Sequence, residues 1–482
     1  MRPDVFIGGA WRSGRGEEFS SIDPALNEDV WRGAAASPED VAEAMAAARA
    51  AFPAWAHASV AERIAVARAY AKQIEARAGE AAELLSRETG KALWDAKGEV
   101  AAMIGKIEIS IRAQAERAGE KEEAAPFGRL ALSHRPHGVL GVFGPFNFPG
   151  HLPNGHIVPA LLAGNTIVFK PSELTPSIAA LMCEAWADAG LPAGVLNMVQ
   201  GARETGAALL AAEGLNGVLF TGSATTGTYI HKLFAGRPEI LLALEMGGNN
   251  PLIVWPPEDA AAAANLIAHS AFATSGQRCS CARRLIVPDD AKGRAVLDAL
   301  AALMPQIKVG AWNEAPEPFM GPVVREKAAL HALVFEADLK ARGGKPIIPL
   351  ERHGAFLRPG LIDMTGAEGP DEELFGPLLQ VFRVRSLDEA FARANDTKYG
   401  LSGGIICDDP EIWARARVEM RAGVLNWNRP TTGASSAQPF GGPGRSGNLR
   451  PSAYYAADYA AYPVATQAAE KAVAMPAAGL PG

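Results

Sequence analysis

The stretch "NTIVFKPSELTPSIAALMCEAWADAGLPAGVLNMVQG", Asn165–Gly201, is the clearest indication of the fold. It begins with the short apolar run "NTIVFKPSE" and ends with a second such run, "GVLNMVQG". Between them, "SIAALMCEAWADAG" has the length and composition of a helix. Strands that alternate with helices of this length indicate parallel βαβ units.

The same alternation continues on both sides of this stretch. "GVLGVFGPFNFPG" precedes it, and "RETGAALLAAEG" and "GVLFTGSATTG" follow it. After Gly248, a second series of candidate strands reads "NPLIVW", "RRLIVP", "PLLQVFRV" and "LSGGIIC". Residues from about 39 to 120 read as long helices, with Ser37 as a possible N-cap. Two α/β domains are expected, because 482 residues exceed the roughly 250–300 that one hydrophobic core holds.

Composition excludes several classes of partner. The net charge of −7 and the pI near 5.8 argue against nucleic acid, which needs clustered lysine and arginine. No apolar run reaches the roughly 18 residues of a membrane span. The start "MRPDVFIGGAW" lacks the apolar core of a signal peptide, and we therefore expect a cytoplasmic protein.

Two of the four cysteines, Cys279 and Cys281, lie one residue apart in "TSGQRCSCARR". So few cysteines in so long a chain predict reduced thiols instead of a disulfide scaffold. A zinc site is disfavoured, because the chain has no C-x-x-C and His269 is the only histidine nearby. We therefore predict no metal.

Cys279 has two interpretations that the residues alone leave open. Arg278, Arg283 and Arg284 would lower its pKa if they faced it, and the thiolate would then be a nucleophile. In the other interpretation, the arginines are solvated and Cys279 is buried and inert.

Two glycine-rich strings are candidate phosphate sites. In "FTGSATTG", an apolar strand ends at the turn Thr221–Gly222 and Ser223 begins a helix, whose free N–H groups favour an anion. "GPGRSG" matches G-x-G-x-x-G at Gly442, Gly444 and Gly447, but "NLRPSAYY" follows it where a helix is required. We interpret "GPGRSG" as a surface turn.

Seven short motifs together are typical of one family. "GPFNFPG", "FKPSELTP", "FTGSATTG", "LEMGG", "GQRC", "EELFGP" and "PFGG" occur in this order, and the chain resembles the aldehyde dehydrogenase superfamily from Phe6 to Pro463. The resemblance implies an aldehyde dehydrogenase-like α/β fold with two parallel α/β domains and a small oligomerisation element. The implied division is an NAD-binding domain at residues 1–117 and 138–246, a catalytic domain at 247–446, an oligomerisation element at 118–137 and 447–470, and a flexible tail at 471–482.

The resemblance also implies a catalytic set. Cys279 matches the nucleophile that attacks the aldehyde to give a thiohemiacetal, and Cys281 is then a small packed neighbour. Asn147 matches the amide that, with the backbone N–H of Cys279, binds the oxyanion. Glu245 matches the base that activates water against the thioester. Relatives that transfer the acyl group to coenzyme A or phosphate generally lack this glutamate, so hydrolysis to a free acid is expected.

The residues that match the family's cofactor contacts are Lys170, Glu173, Gly222, Ser223, Glu373 and Phe375. Glu173 would repel a 2′-phosphate, which favours NAD over NADP. The alternative for Glu373 is a place in a solvated acidic turn with Asp371 and Glu372.

Departures from the wider family concern the substrate. "LEMGGNNP" and "GGPGRSGNLRPSAYYAADYAAYPVA" resemble one branch of the superfamily, which oxidises an acidic semialdehyde. Buried carboxylates need cationic or N–H donors. Our candidates are Arg283, Arg429 and Arg445, each with a surface ion pair as the alternative. His151 and His156 are interpreted as structural or substrate-adjacent.

The segment "ADYAAYPVATQ" matches an edge strand that adds to a neighbouring subunit, so a homodimer or homotetramer is expected. Two functions of other classes remain. A thiol hydrolase would pair Cys279 with a histidine, but it leaves "FKPSE" and "FTGSATTG" without a role. A non-catalytic structural protein would have lost Cys279, Asn147 or Glu245, and all three are present.

Overall fold

The computed structural model describes residues 4–255, 257–472, 474, 475 and 477–480. The predicted tail, 471–482, lies partly outside these residues. Across the described ranges, no helix is long and apolar enough to cross a membrane.

The first sheet contains the strands predicted around Asn165–Gly201. Its seven strands lie in the order Leu241–Met246, Gly217–Gly222, Val139–Phe143, Thr166–Lys170, Leu196–Val199, Val5–Ile7 and Ala10–Arg12. The first five are parallel, and the last two are antiparallel to their neighbours. The predicted βαβ unit is confirmed, with its helix at Pro176–Asp188.

Helices cover both faces of this sheet. They are Pro38–His57, Val60–Ala76, Ala78–Thr89, Leu93–Arg117, His151–Ala163, Pro176–Asp188, Arg203–Ala211 and Ala224–Leu233. Alternate strand residues enter different cores: Leu140 and Ile167 pack in one, and Val139 and Val168 in the other. Burial on both faces explains why the strands read as continuous apolar runs. Ser37 caps the first helix, as predicted.

The second sheet also has seven strands, and it contains the four predicted after Gly248. Their order is Lys345–Ile348, Gly360–Asp363, Leu378–Val384, Ala282–Pro288, Asn250–Val254, Ser402–Ile406 and Val424–Trp427. All neighbours are parallel except the first pair. Its helices are Ala260–Phe272, Ala291–Leu303, Glu326–Ala341, Leu387–Asn395 and Pro410–Glu419.

A three-stranded antiparallel sheet joins distant parts of the chain. Gly128–Pro136 lies between Lys121–Ala125 and Ala461–Ala468. Asn165 ties this sheet to the first one, because its side chain accepts from His137 N at 2.7 Å and donates to Ala460 O at 2.7 Å. The strand that follows the short helix Ala456–Ala460 is thereby fixed at its start.

The remaining elements are short. They comprise the hairpins Glu18–Ile22 with Asp29–Ala34, Glu351–His353 with Phe356–Arg358, and Pro439–Phe440 with Ser452–Ala453, and the 3₁₀ turns Ala273–Gly276, Met304–Gln306 and Gly444–Ser446. The last turn is the "GPGRSG" string. It is followed by extended backbone at Gly447, so its interpretation as a turn is confirmed.

The fold brings the carboxyl ends of parallel strands to one place. Thr221 and Glu245 are register partners at the ends of Gly217–Gly222 and Leu241–Met246. Cys279 lies in the loop between Ala273–Gly276 and the strand Ala282–Pro288 of the second sheet. Ligands of open parallel sheets bind at such ends.

Candidate active site

A cavity of about 370 Å³ lies where these elements meet. Thr221, Glu245 and Cys279 contribute to its wall from the strand ends and the cysteine loop. One face of the helix Leu93–Arg117 and one face of the helix His151–Ala163 form two further sides. The rest of the lining includes Asn147, Phe148, Thr432, Ala434, Ser435, Ser436, Phe440, Ser452 and Ala453.

The turn before Cys279 has a constrained backbone. Thr274, Ser275 and Gly276 have φ values of 54°, 58° and 72°, which are costly for residues other than glycine. Side chains offset this cost, because Thr274 Oγ1 donates to Asp95 and Ser275 Oγ donates to Gly321 O at 2.6 Å. A Cβ at Gly276 would lie 2.2 Å from Gly376 O, so only glycine fits there.

Buried polar side chains hold the peptide groups of this loop. Asn250 Nδ2 donates to Cys279 O at 2.7 Å and to Cys281 O at 2.8 Å. Arg283 Nη1 donates to Gly276 O at 2.6 Å, and its Nη2 donates to Arg278 O at 3.0 Å. The cysteine is therefore presented by a rigid loop, as a preorganised nucleophile requires.

Cys279 is the one partly exposed cysteine of the chain's four, and it lines the cavity. Cys281 is fully buried, as expected of a packed neighbour, with its Sγ 3.7 Å from Ala273 O. Burial raises the pKa of the Cys279 thiol, and the carboxyls of Glu373 and Glu245 raise it further. Arg283 opposes this shift without overcoming it.

The interpretation in which three arginines activate the cysteine is therefore wrong. Arg278 is paired with Asp95 at 2.7 Å, and Arg284 donates to backbone carbonyls, among them Asn249 O at 3.0 Å. The interpretation with solvated arginines is wrong too, because Arg283 and Arg284 are buried. Both arginines donate to backbone carbonyls, and the one that acts on the Cys279 thiolate, Arg283, does not overcome the effect of burial.

Asn147 lies next to the cysteine loop and is 4% exposed. Its Nδ2 donates to Gln277 O at 2.8 Å. Its own carbonyl accepts from Lys91 Nζ at 2.7 Å, and Lys91 forms a fully buried ion pair with Glu99 at 2.6 Å. Lys91 and Glu99 were not found from the sequence, since nothing in their local pattern marks them.

Glu245 presents a carboxylate oxygen to the same cavity. Its Oε1 accepts from Ser452 N at 3.0 Å. Its Oε2 is buried and has no hydrogen-bond partner within the described residues. Burial raises the pKa of Glu245 well above the usual range, and the hydrogen bond from Ser452 opposes the shift. A raised pKa makes this carboxylate a stronger base than an exposed glutamate, which suits a general base.

A buried hydrogen-bonded chain runs beside Glu245. His156 Nδ1 lies 2.9 Å from Tyr459 Oη, and its Nε2 lies 3.0 Å from Thr221 Oγ1. Burial lowers the pKa of His156 to about 3, so the ring is neutral. The sequence led us to interpret His156 as structural or substrate-adjacent, but it could not reveal the partners of the ring, which lie far away along the chain.

The residues expected to contact the cofactor lie outside the cavity lining. Lys170 Nζ donates to Pro171 O at 2.7 Å and to Gly201 O at 2.6 Å, and burial lowers its pKa to about 8. Glu173, three residues further on, is half-buried. Gly222 ends its strand, and Ser223 caps the helix Ala224–Leu233 by accepting from Thr226 N at 3.2 Å.

Glu373 and Phe375 lie on the side of the cysteine loop that carries Arg283. Glu373 is not a solvated acidic residue, because its side chain is only 12% exposed, and this burial raises its pKa to about 7. Its Oε1 lies 3.6 Å from Arg283 Nη2 and, among the described groups, has no hydrogen-bond partner. The Phe375 ring lies 6.0 Å from Phe146 and 5.4 Å from the Arg283 guanidinium.

The three arginines proposed for the substrate do not line the cavity. Arg429 and Arg445 are exposed, and Arg283 is 2% exposed and occupied by backbone carbonyls. The cations of the lining are Lys106 and Arg278. These arginines were expected at the substrate because of their charge and their closeness to motifs, but neither property determines the direction of a side chain.

A thiol hydrolase is also disfavoured by the geometry. Both cavity histidines have other hydrogen-bond partners. His151 lies 3.4 Å from Ser436 Oγ, and His156 contacts the hydroxyls of Tyr459 and Thr221. In the described part of the chain, neither forms a hydrogen bond with Cys279.

Comparison with known families settles the class of the protein. The Aldehyde dehydrogenase family matches residues 11–462. The chain belongs to the aldehyde dehydrogenase family. This dehydrogenase is an oxidoreductase that acts on an aldehyde with a nicotinamide cofactor, and the predicted aldehyde dehydrogenase fold is confirmed.

Individual relatives extend over nearly the whole dehydrogenase. An N-succinylglutamate 5-semialdehyde dehydrogenase 2 of Caulobacter vibrioides is 59% identical over 471 residues, 97% of this chain and 96% of the relative. The structure of 1-pyrroline-5-carboxylate dehydrogenase from Thermus with bound NAD has a TM-score of 0.90 at 31% identity, covering 96% of this chain and 92% of that one. NADP-dependent glyceraldehyde-3-phosphate dehydrogenase from Bacillus halodurans, complexed with NADP, has a TM-score of 0.89 at 29% identity, covering 97% and 99%.

The exposure and pKa of the cysteines predict a labelling pattern. Iodoacetamide should modify Cys279 alone in the folded dehydrogenase, at a rate that rises about tenfold per pH unit above neutrality, because only the thiolate reacts. Mass spectrometry of the labelled protein over a pH series measures the site of modification and the pH dependence of its rate. Cys279→Ser is the control, and a rate that is already constant at neutral pH would contradict the raised pKa.

Proposed function

We propose that this dehydrogenase oxidises N-succinylglutamate 5-semialdehyde to N-succinylglutamate with NAD and water. The observation that carries the chemistry is the placement of the Cys279 thiol and the unpartnered Oε2 of Glu245 in one cavity. The substrate assignment is supported by the names of relatives at 52% to 59% identity over nearly the full length.

In the first step, Cys279 Sγ bonds to the aldehyde carbon and loses its proton, giving a thiohemiacetal. Burial keeps the thiol protonated at neutral pH, so a base must accept this proton. Glu245 Oε2 is the buried carboxylate oxygen available for it. Asn147 Nδ2 and the backbone N–H of Cys279 bind the oxyanion, and Asn147 exchanges its bond to Gln277 O for this one.

The nicotinamide cofactor, when bound, accepts the hydride that leaves the thiohemiacetal carbon. The residues of this chain fit that group, because the Oε1 of buried Glu373 lacks a hydrogen-bond donor in the described structure and Ser223 opens a helix N-terminus. Lys170 and Glu173 would hold the adenine ribose, and the charge of Glu173 disfavours a 2′-phosphate. The proposal is therefore NAD in preference to NADP.

Loss of the hydride leaves a thioester on Cys279, and Glu245 releases to solvent the proton that it took from the thiol. In the second half of the reaction, the deprotonated Glu245 removes a proton from water, and the resulting hydroxide attacks the thioester carbon. The C–S bond then breaks, Cys279 leaves as a thiolate, and the free acid is released. The raised pKa of Glu245 suits this step, since a carboxyl in the ordinary range would be a weaker base. The expected acid limb of the pH profile follows, because protonated Glu245 cannot accept the proton.

We also propose that the subunits assemble through the three-stranded sheet. The strand Ala461–Ala468 pairs with Gly128–Pro136 on one side and lies at the edge of the sheet on the other. Most of its residues are exposed. An edge strand of this length pairs readily with a second chain, which favours a homodimer or homotetramer.

The substrate proposal predicts a ranking of aldehydes. The kcat/KM for N-succinylglutamate 5-semialdehyde with NAD should exceed that for succinate semialdehyde and for a neutral aliphatic aldehyde of similar length. NADH absorbance measures all three, with NADP as the alternative cofactor. Equal values across the panel would contradict the substrate while leaving the dehydrogenase activity intact.

The role of Glu245 predicts a separation of two rates. Glu245→Gln should lower the steady-state rate by roughly 10²–10³-fold, because hydrolysis loses its base, while NADH formation in the first turnover is slowed less. Stopped-flow absorbance resolves the two. Glu239→Gln, at an exposed site just before the same strand, is the matched control. If Glu245→Gln slowed first-turnover NADH formation as much as steady-state turnover, Glu245 would act chiefly as the base for Cys279 and not for water.

A further inference from the structure

One cation in the active-site cavity has no partner of opposite charge. Lys106 is 1% exposed and lines the cavity, and its Nζ donates to Ala453 O at 2.9 Å. Throughout the described residues, no carboxylate lies within ion-pair distance of this nitrogen. Burial alone lowers the pKa of Lys106, to about 7, which reflects the cost of a desolvated ammonium.

The other charged groups of the cavity are satisfied within the protein. Asp95 is paired with Arg278 at 2.7 Å, and Glu99 with Lys91 at 2.6 Å. Burial raises the pKa of Glu245, and this carboxyl is not within ion-pair distance of Lys106 in the described structure. Lys106 therefore remains as the positive group of the cavity whose charge is not neutralised by the described side chains.

The position of Lys106 directs it towards the substrate. Asp95, Glu99, Ala102 and Lys106 follow the spacing i, i+4, i+7 and i+11, which places them on one face of the helix Leu93–Arg117. All four line the cavity. The ammonium of Lys106 thus lies on the same helix face as Asp95, which accepts a hydrogen bond from Arg278 of the cysteine loop.

Further hydrogen-bonding groups line the same cavity. They belong to His151, Ser435, Ser436 and Ser452, and Ser436 Oγ lies 3.4 Å from His151 Nε2. Burial, together with the nearby Lys106 and Lys91, lowers the pKa of His151 to about 4, so this ring is neutral. A carboxylate beside Lys106 would meet one cation and neutral polar groups, which is a favourable site for a single negative charge.

We propose that Lys106 binds a carboxylate of the acidic aldehyde and is the main determinant of selectivity for it. The inference rests on the proposed function, which supplies a substrate with two carboxylates. The arginines expected from the sequence are exposed or occupied, whereas Lys106 combines burial, access to the cavity and the absence of a counter-ion among the described residues. Pairing with the substrate removes the cost of the buried charge.

The test is the ratio of kcat/KM for N-succinylglutamate 5-semialdehyde to that for a neutral aliphatic aldehyde. Lys106→Met should lower this ratio on the order of 100-fold, mainly through KM for the acidic aldehyde, because a desolvated carboxylate is left unpaired. Lys106→Arg should restore most of the ratio. Lys97→Met removes an exposed lysine of the same helix and should leave the ratio unchanged.

A positioning role would give a different result. Lys106 donates to the carbonyl of Ala453, the residue after Ser452, whose N–H donates to Glu245. If the lysine only held this segment in place, its replacement would lower kcat equally for both aldehydes. An unchanged ratio, with or without such a loss, overturns the proposal.

Calorimetry separates this inference from the substrate proposal. Wild-type protein should bind N-succinylglutamate at least tenfold more tightly than Lys106→Met, and this measurement needs no turnover. If the wild-type enzyme had equal kcat/KM values for all the aldehydes, the proposed substrate would be contradicted. The affinities of the wild type and Lys106→Met for N-succinylglutamate could still be compared. Equal affinities of the two proteins for N-succinylglutamate overturn the role of Lys106.

Discussion

The start of one helix joins the two halves of the active site through buried carboxylates. Glu99 accepts from Gly150 N at 2.8 Å and pairs with Lys91, which in turn holds the carbonyl of Asn147. Asp95, one turn earlier, binds Thr274 and Arg278 of the cysteine loop. Asn147, the proposed oxyanion-binding amide, follows a strand of the first sheet, and Cys279, the proposed nucleophile, precedes a strand of the second, so their relative position depends on these contacts. Breaking the fully buried Lys91–Glu99 pair would cost about 3–5 kcal/mol.

The same burial that fixes the geometry also sets the proton chemistry. Desolvation raises the pKa of Cys279, Glu245 and Glu373 and lowers that of Lys106 and His156, so the site favours neutral forms. Because the pKa of Glu245 is raised, this carboxylate is a better acceptor for the thiol proton than an exposed glutamate would be. Lys106 has no counter-ion among the described side chains, and a negatively charged substrate would stabilise its ammonium form.

Local sequence patterns predicted the parts of the fold that local physics controls. The run at Thr166–Lys170, the helix cap at Ser223 and the turn at Gly444–Ser446 all follow from hydrophobicity, capping and glycine content within a few residues. The catalytic candidates Cys279, Asn147 and Glu245 came from the resemblance to the family, and the structure places all three around one cavity.

What the sequence could not predict depends on contacts between distant residues. Lys91 and Asn147 are 56 positions apart, and His156 and Tyr459 are 303 apart. The arginine candidates failed for the same reason: whether a side chain faces backbone, solvent or substrate is decided by packing between elements. Lys106 has no motif around it, and only its burial on the cavity wall distinguishes it from Lys97, the exposed lysine of the same helix.

The most direct test of the account is to locate the covalent intermediate. Glu245→Gln protein would be mixed with NAD and N-succinylglutamate 5-semialdehyde, quenched in acid and digested with trypsin, which releases Cys279–Arg283 with both cysteines in one peptide. Fragmentation by mass spectrometry should place the N-succinylglutamyl mass on Cys279. Finding it on Cys281, or finding NADH produced with no acylated peptide, would contradict the assignment of Cys279 as the nucleophile.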